Sequence, residues 1–128
     1  MSDGLLLDTN VVLYLLKGNK EWKGAFQRWS QETAYVSVIT VMELFIGCQS
    51  ESDRATIERF LEQTEIILLT LPIATRACTL LSAHSRSLRS PHLADAIIAA
   101  TATELGIPLL TNNPKDFRRF RGVTLAHR

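Results

Sequence analysis

The stretch Leu5-Leu6-Leu7-Asp8-Thr9-Asn10 decides the fold. Three apolar residues in a row, without polar alternation, are the pattern of a strand covered on both faces, and such strands belong to parallel sheets flanked by helices. The run stops at three polar residues, the first of which can cap a following helix. Moving outward, Val11 to about Lys17 reads as that helix, closed by Gly18-Asn19, and a second from Lys20 carries Trp22, Phe26 and Trp29 at spacings of four and three. Ala34-Tyr35-Val36 reads as the next strand, followed by an apolar helix from about Ile39 to Cys48. Ser52 to Thr64 is amphipathic, with Ile57, Phe60 and Leu61 on its apolar side, and Ile66 to Leu71 is expected as a third buried strand. Pro72 opens a helix marked by Ala74, Ala77, Leu81 and His84. Ser90-Pro91 is a cap and first-turn signature for a helix from Leu93 to Leu105, closed by Gly106 and Pro108 before a fourth strand at Leu109-Leu110. Val123 to Leu125 is expected as a short edge strand. Strands that alternate with helices and lie too far apart for hairpins predict the α/β class, a three-layer α/β/α arrangement around a central parallel sheet.

The 128 residues suit one domain spanning 1–128, and 46% hydrophobic content is enough for a core without staples. Fourteen Lys and Arg against thirteen Asp and Glu leave a net charge of +1, so any phosphate-binding surface must be local. Cys48 and Cys78 have neither disulfide-framework nor zinc spacing and read as reduced core thiols. The start lacks a positive n-region, and Ser37, Thr40, Glu43 and Gly47 make the apolar stretch from Thr33 to Ser50 a poor membrane span. A soluble, cytoplasmic protein without membrane contact is expected.

In open α/β sheets ligands gather outside the carboxyl ends of the strands, which is where Asp8 falls. Glu43 is the only charge between Glu32 and Glu51, set among Val41, Met42, Leu44, Phe45 and Ile46, where an unpaired carboxylate costs several kcal/mol. Asp95 is the sole charge from Leu93 to Ala102; counted from Ser90 it lies beyond the first helical turn, where the helix dipole no longer accounts for it. Thr111-Asn112-Asn113-Pro114-Lys115-Asp116-Phe117 follows the fourth strand at the same edge and reads locally as a turn. Carboxylates sharing one pocket raise each other's pKa unless a cation neutralises them, and oxygen-only donors suit Mg²⁺ or Mn²⁺.

Four blocks, Leu-Leu-Asp8-Thr9-Asn10-Val, Ser37-Val-Ile-Thr40-Val-Met-Glu43-Leu-Phe-Ile-Gly47, Leu93-Ala-Asp95-Ala-Ile-Ile-Ala-Ala-Thr-Ala102 and Leu-Thr111-Asn-Asn113-Pro-Lys-Asp116-Phe117, resemble in order the motifs of PIN-domain ribonucleases. The likeness is to VapC-type toxins of toxin–antitoxin pairs and covers nearly the whole chain. It implies a PIN-like fold and an endoribonuclease that uses Mg²⁺, with Mn²⁺ as substitute. The implied catalytic acids are Asp8, Glu43, Asp95 and Asp116, the first three as metal ligands. Many PIN domains carry an aspartate where this chain has Asn113, which is the one departure. The resemblance further implies orienting roles for Thr9, Asn10, Thr111 and Asn113, an RNA substrate, a small antitoxin as partner and a homodimer.

Two features stay open between structure and function. Trp22, Phe26 and Trp29 form either core packing or a groove for a partner, and Lys115, Arg118, Arg119, Arg121 and Arg128 form either a solvated end or an RNA-backbone contact. His84, His92 and His127 lack ligand spacing, and no GxSxG elbow, P-loop or GxGxxG is present. A phosphoacceptor receiver domain is the rival enzyme-like reading, but it needs two adjacent acids after the first strand and only Asp8 stands there. A PIN fold that binds RNA or a partner without cleaving is the other.

Overall fold

The computed structural model describes residues 4–84 and 93–127. Strand β1, Gly4–Leu7, lies at the centre of a four-stranded parallel sheet of order β3-β2-β1-β4. Its neighbours are β2, Thr33–Ser37, with Leu6 opposite Tyr35, and β4, Leu109–Leu110, with Leu7 opposite Leu110. The remaining strand, β3, Glu65–Ile67, pairs with β2 alone.

The three leucines explain the architecture. Leu6 points into one core with Ala96, Ile98, Leu109, Phe117 and Phe120, while Leu5 and Leu7 point into the other with Val11, Val12, Trp22, Leu44 and Ile57. All three are fully buried, so each face of the sheet needs its own helical layer. On the Leu5/Leu7 face lie α1, Thr9–Leu16, α2, Lys20–Gln27, and α4, Glu51–Leu61. The opposite face is covered by α5, Leu71–His84, and α6, Leu93–Leu105. Between them α3, Val38–Ile46, leaves β2 with Ile39 against one core and Leu44 in the other. The expected three-layer α/β/α fold is therefore the observed one. The chain steps from β1 to β2 and β3 on one side and returns to β4 on the other, so the strand order reverses beside the carboxyl end of β1.

Four local expectations change and one open alternative is decided. Cys78 is exposed and Cys48 half-buried, so neither thiol is a core residue. The third strand is shorter than Ile66 to Leu71, and it is not buried: β3 ends at Ile67, and Leu68, Leu69 and Leu71 are 66%, 49% and 80% exposed. It is an edge strand, and among the described residues no layer is laid across its end, so an apolar run that looks like core is left uncovered. Trp22 is a core residue, 5% exposed and stacked on Tyr14 at 5.9 Å, which removes it from any groove; Trp29 is half-buried, its Nε1 donating to the His127 carbonyl oxygen. Val123 to Leu125 contributes a single parallel bridge, Leu125 to Leu109, rather than a strand. The segment after β4 is a short helix, α7, Pro114–Arg118, with Pro at its start, rather than a plain turn. The Ser90-Pro91 cap, His92 and Arg128 lie outside the described residues.

Truncating Leu6 to Ala should lower the unfolding free energy by about 2–5 kcal/mol, whereas Leu68→Ala should change it by less than about 1 kcal/mol. Urea denaturation of the two variants checks this; equal losses would mean that the β3 edge is packed within the protomer.

Candidate active site

Asp8 stands immediately after β1 and caps α1: its Oδ1 accepts the Thr9 amide at 2.8 Å. Capping and site membership are thus not alternatives. The second oxygen, Oδ2, accepts the Thr111 hydroxyl at 2.7 Å from the end of β4, and Thr111 Oγ1 in turn accepts the Asn113 amide at 3.0 Å. With the residue only 5% exposed, the carboxylate is almost removed from water.

Glu43 arrives from α3, one turn beyond the helix start that Ser37 caps by accepting the Ile39 amide. Its Oε1 accepts the Thr9 hydroxyl at 2.7 Å, which ties α3 to the first residue of α1. Asp95 is half-buried and lies in the first turn of α6, not beyond it as counted from Ser90, so the positive end of the helix does favour its charge. That placement does not take it away from the other acids. Asp8, Thr9, Asn10, Glu43, Asp95, Asn113 and Phe117 line one cleft of about 140 Å³ at the switch point of the sheet.

The electrostatics follow from this convergence. Burial pushes the Asp8 carboxyl from 3.8 up to about 6, the negative charges of Asp95 and Glu43 push the same way, and the bonds from Thr111 and the Thr9 amide oppose them. Among the described residues no three acidic, imidazole or thiol side chains already form a metal cage. The donors of the cleft are nonetheless all oxygens, with two carboxylates beside a third that is starved of water. That set fits a hard cation that keeps several of its own waters, as Mg²⁺ does. A larger cleft of about 730 Å³, between α5, Glu104 and Gly122, has no such chemistry: its one carboxylate, Glu104, is ion-paired with Arg76.

The remaining sequence candidates separate. Asn113 lines the cleft, and its Nδ2 donates to Asp116 Oδ2 at 2.6 Å, leaving the amide oxygen as the group it can offer. Asp116 is half-buried in α7 and is not among the residues that line the cleft. Lys115 and Arg118 are exposed on the same short helix, whereas Arg119 is half-buried with its guanidinium 5.8 Å above the Phe120 ring. One member of the cluster carried no role in the sequence reading: Thr40, fully buried in α3, whose Oγ1 lies 2.9 Å from Thr9 Oγ1. Its signal was the three-residue step to Glu43, one helical turn on the same side.

Comparison with known proteins adds the following. The PIN domain family model matches residues 5–123. Ribonuclease VapC1 of Rickettsia felis is 31% identical over 128 residues, covering 94% of this chain and 92% of that protein. A tRNA(fMet)-specific endonuclease VapC of Shigella flexneri is 26% identical, with 92% of each chain covered. Among solved structures, a toxin–antitoxin complex from Klebsiella pneumoniae superposes with a TM-score of 0.79 at 32% identity, over 97% of this chain and 98% of that one.

A carboxyl raised from 3.8 to about 6 on folding destabilises the cation-free protein above that pH by about 3 kcal/mol relative to its protonated form. Below pH 4 both folded and unfolded states hold the proton and the penalty vanishes; it grows between pH 4 and 6. Asp8→Asn should therefore raise the melting temperature of chelator-treated protein at pH 7.5 and by much less at pH 4. Calorimetric scans at the two pH values check this, and an equal change at both would remove the charge as its cause.

Proposed function

The chain belongs to the PIN domain family, and from that premise we propose that it is a divalent-metal-dependent endoribonuclease, the toxin half of a toxin–antitoxin pair. The observation that carries the reading is the convergence of Asp8, Glu43 and Asp95 on one oxygen-lined cleft, with the Asp8 carboxyl raised chiefly by burial and further by the other two. The names of the Rickettsia and Shigella relatives support ribonuclease activity, and the Klebsiella complex supports an antitoxin partner. In this reading residues 1–128 form one domain that works in the cytoplasm. No described helix is long and apolar enough to cross a membrane.

Asp8, Glu43 and Asp95 would hold Mg²⁺, or Mn²⁺ in its place. Bound there, the cation supplies an acidified water and neutralises charge gathering on the scissile phosphate. The side chains do the positioning. Thr111 fixes Oδ2 of Asp8, Thr9 fixes Oε1 of Glu43, and Asp116 takes the Nδ2 of Asn113, which leaves the second oxygen of Glu43 and the side-chain oxygen of Asn113 for the cation or the substrate. Asn10, exposed at the mouth, is placed to orient the RNA, and Asp116 acts through Asn113 rather than on the cation. Lys115 and Arg118 can meet phosphates outside the cleft, while the half-buried Arg119 is engaged with Phe120. The products expected from water attack are a 5′-phosphate and a 3′-hydroxyl.

Two apolar surfaces suit the protein partners. A groove of about 300 Å³ between α1, α3 and α4, lined by Leu13, Leu16, Leu44, Cys48 and Ile57, suits the antitoxin better than the aromatic stripe, whose Trp22 is core. The uncovered Leu68, Leu69 and Leu71, with Met42 and Ile46 exposed on neighbouring α3, suit a second copy of the chain.

In Mg²⁺, cleavage of a transfer RNA pool should fall by about 100-fold or more in Asp8→Asn and be lost in excess chelator. Retention of full activity in either case would refute metal-dependent cleavage, and binding without cleavage by the wild type would leave a silent RNA-binding module. Sedimentation should give a dimer for the wild type and a monomer for Leu69→Glu; a monomeric wild type would remove the second copy from the β3 edge.

A further inference from the structure

We propose that Thr40 is a positioning residue for Glu43, acting through Thr9, and that its hydroxyl sets which carboxylate oxygen of Glu43 is left for the cation. This rests on the metal-dependent reading above and deepens it. A carboxylate accepts only, so the 2.7 Å contact between Thr9 Oγ1 and Glu43 Oε1 uses the single hydroxyl hydrogen of Thr9. The 2.9 Å contact between Thr9 and Thr40 must then be donated by Thr40. The order Thr40 to Thr9 to Glu43 is forced.

The direction of that hydroxyl is unusual for a buried threonine in a helix. Thr101 and Thr103 in α6 donate to the carbonyls four residues back, Ile97 and Ala99, at 2.7 and 2.9 Å. Thr40 sits in the first turn of α3, where the residue four back, Val36, belongs to β2 and not to the helix. Its hydroxyl has no helical carbonyl to bond, is fully buried, and is spent on Thr9. The same device serves the other acid: Asn113 N–H donates to Thr111 Oγ1, and Thr111 donates to Asp8 Oδ2. Each of the two carboxylates is thus gripped at one oxygen by a threonine whose own hydroxyl is oriented by a second donor. Such outer partners fix ligand orientation and strengthen each other's polarity.

The test is calorimetric titration of Mn²⁺ into RNA-free protein, wild type beside Thr40→Val, Thr40→Ser and Glu43→Gln, with melting temperatures recorded for each. Thr40→Val keeps the shape and removes the donor, so it should weaken Mn²⁺ binding by about tenfold, and Thr40→Ser, which keeps the hydroxyl, should stay within about twofold of wild type. In the Glu43→Gln background, Thr40→Val should have no further effect. Cleavage by Thr40→Val should show a lowered kcat at limiting Mn²⁺, recovered at saturation, with KM for RNA unchanged. Wild-type affinity in Thr40→Val overturns the proposal alone, as does equal weakening in Thr40→Ser, which would mean that packing and not the hydroxyl matters. If Thr40→Val fails to fold, weakened binding in Thr40→Ser still overturns it, and retained binding supports it. A wild type that binds no Mn²⁺ overturns the metal-dependent reading, and this proposal with it.

Discussion

Everything in this protein depends on burying a strand on both faces while ending it in an aspartate. Leu5, Leu6 and Leu7 demand helical layers above and below, and parallel strands on either side leave β1 no route to solvent except at its end. Asp8 is therefore delivered to the switch point of the sheet with little water to solvate it, and its carboxyl is raised accordingly. The fold does not merely position this charge; it creates the electrostatic deficit that a cation can fill.

Among the described residues, Asp8 and Glu43 are held by hydroxyls rather than by basic groups. Thr111 on Asp8 and Thr9 on Glu43 supply directional bonds without supplying positive charge. A lysine or arginine in either place would cancel one of the three negative charges and weaken the cluster's hold on a metal ion. Neutral donors hold Asp8 and Glu43 in place without adding a positive charge to the cluster. The arrangement stabilises geometry at the expense of the cation-free state, which is how preorganised metal sites generally behave.

Much of this was legible in the amino-acid sequence, for reasons that differ by residue. Glu43 and Asp95 stand out because each is the lone charge in an apolar stretch, and Asp8 because it ends a run with no polar face. The Thr40–Thr9 contact was not legible, since 31 residues separate the pair and a buried threonine usually satisfies itself on its own helix. The β3 edge reads as core for a more general reason: an apolar run has the same letters whether the fold covers it or leaves it exposed, as at Leu68 and Leu71. Trp22 against Trp29 fell to the same ambiguity, resolved only by the stacking of Trp22 on Tyr14. Asp116 and Asn113 lie three residues apart, and sequence alone does not show that one holds the other at the rim of the cleft.

The central claim is that Asp8 is destabilised by its own site and relieved by a divalent cation. Carboxyl ¹³C chemical shifts of Asp8, followed through a pH titration with and without Mg²⁺, test it at the atom concerned. Without the cation the midpoint should fall at about 6, and Mg²⁺ should drive it below the ordinary aspartate value of 3.8. A midpoint near 3.8 in cation-free protein, left in place by Mg²⁺, would contradict the claim.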